Sequence, residues 1–141
     1  MKRIALIAVL AFAAFPLGVT SSSAQSTQTA QIYNAPEQNC NGSAPNAGPS
    51  YGTFSEEQAH ATIYGTVELK GVQRDTTFAI RVHEFGRVCL YEEVTTLTTD
   101  SHGDGFAHFT YTAHIGESTV WVSANHSATI VYRSTALPIN Q

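Results

Sequence analysis

The run T98-T-D-S-H-G-D-G-F-A-H-F-T110 places two aspartates, two histidines and two glycines in one short stretch. Carboxylates are the usual ligands of calcium, and imidazoles those of zinc and copper. A calcium loop of the helix–loop–helix kind needs oxygen donors at alternate positions, glycine at the sixth and a bidentate glutamate at the twelfth. Counted from Asp100, the third position is His102, the fifth Asp104, the sixth Gly105 and the twelfth Tyr111. Asp100 and Asp104 are therefore the only calcium candidates. The competing reading is a turn. Aspartate bonds to its own backbone, and Gly103 and Gly105 accept positive φ without a steric cost. The turn is the favoured reading.

The chain has six histidines. Alternation places His83, His108 and His114 on outward faces, His102 and His126 in turns, and His60 before a strand. Neutral imidazoles from adjacent strands can hold zinc or copper, which makes His83, His102 and His108 the candidates if strand order brings them together. The expectation is no cofactor. Large rings give a second kind of chemistry. Tyr64 and Trp121 lie opposite the apolar sets Ile63/Val67 and Val120/Val122, so an outward face would present them beside Arg81 and His83. These residue types bind proteins and glycans. The competing reading buries Trp121 beneath the N-terminal segment. No nucleophile elbow or phosphate loop is present. Glu92 and Glu93 are adjacent, so on a regular strand they point to opposite faces and form no carboxylate pair. No catalytic residue is assigned, and an enzyme is not the favoured class.

The elements that must position these residues are strands. In A61-T-I-Y-G-T-V-E-L69 the odd positions are apolar, and in T76-T-F-A-I-R-V-H-E84 Phe78, Ile80 and Val82 alternate with polar neighbours. R87-V-C-L-Y91, V94-T-T-L-T-T99, F106-A-H-F-T-Y-T-A113, S118-T-V-W-V-S-A124 and S127-A-T-I-V-Y-R-S134 complete the set. β-Branched and aromatic residues dominate, and Gly, Asp and Asn separate the runs. About seven short antiparallel strands predict an all-β immunoglobulin-like sandwich over residues 58–141, with a small barrel as the neighbouring possibility. Residues 25–57 are rich in Pro, Gly, Ser, Asn and Gln, and read as a flexible polar tail.

The N-terminus reads as a secretory signal over residues 1–24. Lys2 and Arg3 precede the apolar run Ile4 to Phe15, and Ser22-Ser23-Ala24 offers small residues at a cleavage point. Removal takes two of the seven Lys+Arg and none of the eleven Asp+Glu, moving the net charge from -4 to -6. An acidic chain is a poor nucleic-acid binder. No later apolar run is long enough for a transmembrane segment. The only cysteines, Cys40 and Cys89, are expected to form a disulfide in an oxidising compartment.

Two resemblances add to this. The run T98 to T110, followed by G116-E-S-T-V-W-V-S123 and T129-I-V-Y-R-S-T135, resembles the closing half of bacterial immunoglobulin-like domains across roughly residues 60–139. That likeness implies an extracellular spacer, adhesion or binding module. The run I80-R-V-H-E-F-G86 resembles the H-V-H-E-F-G ligand strand of copper/zinc superoxide dismutases, which are secreted β-barrels. Only the second histidine carries over, as His83; the first ligand position holds Arg81, which has no lone pair to give a metal. S101-H-G-D-G105 is a faint echo of that family's zinc loop. Taken together, the leading expectation is a secreted bacterial module, extracellular or periplasmic, that binds a protein or glycan without catalysis. The alternatives are a degenerate dismutase-like metal-binding barrel and an inhibitor of a secreted enzyme.

Overall fold

Alternation of apolar and polar side chains drives one face of each strand out of water, and the computed structural model shows the result for residues 26–36 and 48–140. The expected signal segment and Cys40 lie outside the described residues. The strands are β1 (Gln28–Asn34), β2 (Ser50–Ala59), β3 (Thr62–Leu69), β4 (Thr77–Phe85), β5 (Cys89–Thr98), β6 (Gly105–Thr112), β7 (Thr119–Asn125), β8 (Val131–Ser134) and β9 (Leu137–Pro138). The described residues contain no helix, so none is long and apolar enough to cross a membrane.

All the strand pairs are antiparallel, in the order β5-β4-β7-β8-β1-β2-β3-β6, with β9 added beside β7. Main-chain pairing thus joins every strand in one sheet instead of the two of the expected sandwich. The sheet curls until its ends, β5 and β6, lie side by side without a ladder between them. The result is a nearly closed barrel. Its single core takes the inward sets Ile63, Val67 and Leu69 of β3, Phe78, Ile80 and Val82 of β4, Ala107 and Phe109 of β6, and Val120, Val122 and Ala124 of β7.

Much of the expected flexible tail is part of this core. β1 lies between β8 and β2, and Ala30, Ile32 and Phe54 are buried. Composition hid these strands because so many of their remaining side chains are Gln, Ser, Thr and Glu. Alternation needs only three apolar residues when neighbouring strands supply the rest of the core. The Phe109 ring stacks on Phe54 at 6.1 Å between centroids. It also lies where a Cβ at residue 65 would stand, which accounts for Gly65 within β3.

The Asp100–Gly105 connection gives its carboxylates a place in the turn. Asp100 Oδ1 accepts the N–H groups of His102 (2.7 Å) and Asp104 (3.0 Å), and Asp104 Oδ1 accepts that of Gly71 (2.8 Å). The backbone donors of Asp104 and His102 hold the Asp100 carboxyl below the usual range. Gly103 turns at φ 87°, against the Val72 carbonyl. The Asp100 carboxylate thus closes the turn on itself, and the Asp104 carboxylate fastens it to the loop before β4.

Candidate functional site

Opposite that turn, the described residues leave the barrel open. Between the Cys89 end of β5 and the Thr112 end of β6 lies a cleft of about 1090 Å³. Leu90, Glu92, Glu93 and Val94 line it from one strand, and Thr110, Tyr111 and Thr112 from the other. Arg87, Val88, His114, Ile115 and Glu117 close its end. Glu92 and Glu93 both line the cleft, contrary to the regular-strand expectation. The pairing runs Ile80 to Thr95 and then Arg81 to Glu93, so Val94 is an extra residue in β5. This bulge breaks the alternation and re-aims the neighbouring side chains. It also joins into one strand the two short runs expected at 87–91 and 94–99.

A polar network stands behind the cleft wall. Glu84 ends the inward series of β4, and its side chain is wholly buried. It accepts the Tyr111 hydroxyl (2.9 Å) and the His114 main-chain N–H (3.0 Å), and it meets His114 Nδ1 at 2.7 Å. Burial, followed by the bond to Glu84, pushes the Tyr111 hydroxyl well above its ordinary pKa. Glu84 thereby ties β4, β6 and the loop after β6 together, and it orients the half-exposed His114 ring at the cleft.

Glu117 lies on the same loop and is also buried. Its Oε1 accepts the Val88 N–H at 3.1 Å. Its Oε2 is buried with no hydrogen-bond partner among the described residues. An uncompensated buried carboxylate oxygen is costly. Phe85, Val88, Tyr91 and Ile115 lie on turns and strand ends at this end of the barrel, and Val88 and Ile115 line the cleft. All four are exposed, Ile115 to 87%.

The structure gathers three of the four expected binding residues, but not on an open face. His83 and Trp121 are directly paired across β4 and β7. Their rings stack at 3.7 Å with planes 5° apart. Trp121 is 0% exposed and His83 2%, so neither ring is presented on the surface. The Arg133 guanidinium, also buried, lies over the indole at 5.3 Å, and Arg81 lies over Tyr91 at 5.8 Å. His83 Nε2 bonds to Ser123 Oγ at 2.8 Å. Tyr64 is exposed on β3, several strands away in the sheet order. The joint Tyr64/Trp121 face is thus replaced by a buried aromatic–cation layer and one isolated surface tyrosine.

The metal candidates also lie apart. His83 is within this layer, His102 is exposed in the Asp100–Gly105 turn, and His108 is on the outer side of β6, where Nδ1 meets Thr66 Oγ1 at 2.8 Å. Among the described residues, no three His, Cys, Asp or Glu side chains are grouped to hold a metal ion.

Glu84, Tyr111 and Glu117 were not singled out from the sequence, and His114 was named there only among the outward histidines. Two of them left a signal there. Glu84 continues the inward series 78, 80, 82, and Tyr111 the series 107, 109. A carboxylate at an inward position marks a buried polar site. Glu117 and His114 left none, because their roles depend on a loop conformation. Comparison with protein-family models, curated proteins and solved structures finds no match.

Proposed function

We propose that this is a secreted, non-catalytic binding module whose open seam between β5 and β6 receives part of another protein. The carrying observation is the seam itself: two strand edges with no ladder across it flank a cleft of about 1090 Å³. Unpaired edges are templates for an added strand, and apolar rims mark protein contacts. Leu90 to Val94 extends for about 13 Å at roughly 3.3 Å per residue, which matches a short peptide strand. Main-chain edges beside exposed Val88 and Ile115 suit a polypeptide better than a glycan.

The test is selection of random nonapeptides displayed on phage against the full chain. Selected peptides are expected to lose at least about tenfold in affinity when Thr112→Trp fills the cleft. Thr112 is exposed, so the substitution should leave the fold intact, as a melting curve checks. Failure to select peptides, or binding indifferent to Thr112→Trp, overturns this reading.

Secretion is supported by the Lys2-to-Ala24 pattern and by the two cysteines. Cys89 opens β5 at the rim of the seam, and a Cys40–Cys89 bridge would anchor that rim. A thiol assay on the denatured, unreduced protein should find no free thiol; two titratable thiols would refute the bridge.

A further inference from the structure

The reading above leaves the chemistry of the inserted segment open, and Glu117 bears on it. Among the described residues lining the cleft, Glu92, Glu93 and Glu117 are acidic, and Arg87 is the one Lys or Arg. Arg87 lies along Gly116, on the same loop as Glu117. Most buried polar atoms find a partner within the fold, yet Glu117 Oε2 has none among the described residues, although Oε1 of the same carboxylate is held by Val88. The bond to Val88 fixes the carboxylate, leaving one acceptor oriented and unused beside an acidic cleft.

Resting on the seam as a binding site, we propose that Glu117 recognises a basic side chain, lysine or arginine, carried by an extended segment lying in that seam. Once the occupant displaces the groups that cover Oε2, its ammonium or guanidinium would donate a charge-assisted hydrogen bond there, where no donor stands among the described residues. Glu92 and Glu93 add to the attraction and repel acidic chains, including a second copy of this one, whose net charge is -4 with residues 1–24 and -6 without them. The bulge and paired glutamates that guard the β5 edge against indiscriminate strand addition thereby select for a basic occupant.

The test uses the phage-selected nonapeptides whose binding depends on an unfilled Thr112 cleft. They should be enriched in Lys or Arg at one central position. Replacing that residue by norleucine should weaken binding to the native chain at least about tenfold. The same replacement should change binding to Glu117→Gln less than about twofold. Glutamine retains an oxygen for the Val88 N–H, and the norleucine arm leaves the protein untouched, so a folding defect in the variant does not decide the result. Cleft-dependent peptides without a basic residue, or an equal norleucine effect on both proteins, would refute the role of Glu117 and leave the seam as a binding site. If no peptide is selected, both readings fall together.

Discussion

Replacing Trp121 by alanine is expected to cost about 4 kcal/mol of folding stability, the range for truncating a fully buried tryptophan. The indole is inaccessible, stacked on His83 on one side and covered by Arg133. Truncation would open a cavity and strip the Arg133 guanidinium of its aromatic neighbour in a place where a cation is already costly. Burial holds that guanidinium's pKa below its ordinary value. Urea unfolding should show the loss, and a thermal scan should show a drop on the order of 15 °C for a domain of this size. Tyr64→Ala is the contrast. Tyr64 is half exposed, so its removal should change stability by less than about 0.5 kcal/mol. A Trp121→Ala loss under about 1 kcal/mol would mean that the ring is not packed as described.

Acid should unfold the protein through the same layer. Burial, followed by repulsion from Arg81 and Arg133, brings the His83 pKa down to about 3 from 6.5. Between those values the unfolded chain binds a proton that the folded chain refuses. Stability is therefore fully present above pH 6.5 and lost as pH falls toward 3, by up to about 5 kcal/mol at roughly 1.4 kcal/mol per pH unit. Glu56 works in the opposite direction. Burial raises its carboxyl to about 7 from 4.5, partly offset by the bond from Gln58. Its contribution is present below pH 4.5 and lost as pH rises through 7, by about 2 kcal/mol after allowance for solvent screening. Urea midpoints across pH 3–8 should show both slopes. His83→Phe, which keeps a stacked ring without a proton site, should flatten the acid limb. Glu56→Gln should flatten the neutral one. An acid limb unchanged in His83→Phe would rule out His83 as its source.

The strands from Thr62 onward were legible because their side chains alternate, and alternation follows from local geometry alone: successive side chains point to opposite faces. The same rule placed Ile63, Val67, Phe78, Ile80 and Val82 inside. It missed β1 and β2, whose polar composition resembles a tail, because Ala30, Ile32 and Phe54 become core only when β8 and β3 flank them. The candidate site was less legible still. Trp121 occupies an outward position by alternation, yet it is buried, because β7 is covered on both of its faces.

The sequence by itself determined that the chain is antiparallel β, that the Asp100–Gly105 run makes a turn, and which side chains face inward along most strands. Those properties depend on residues close together in the chain. Only the tertiary structure decided that the strands curl into one nearly closed barrel, that the seam stays open beside Glu92 and Glu93, and that Glu84, Tyr111, His114 and Glu117 converge there. Those properties depend on strand order and on one extra residue at Val94, and pairing across long separations is not encoded in the period of any single strand.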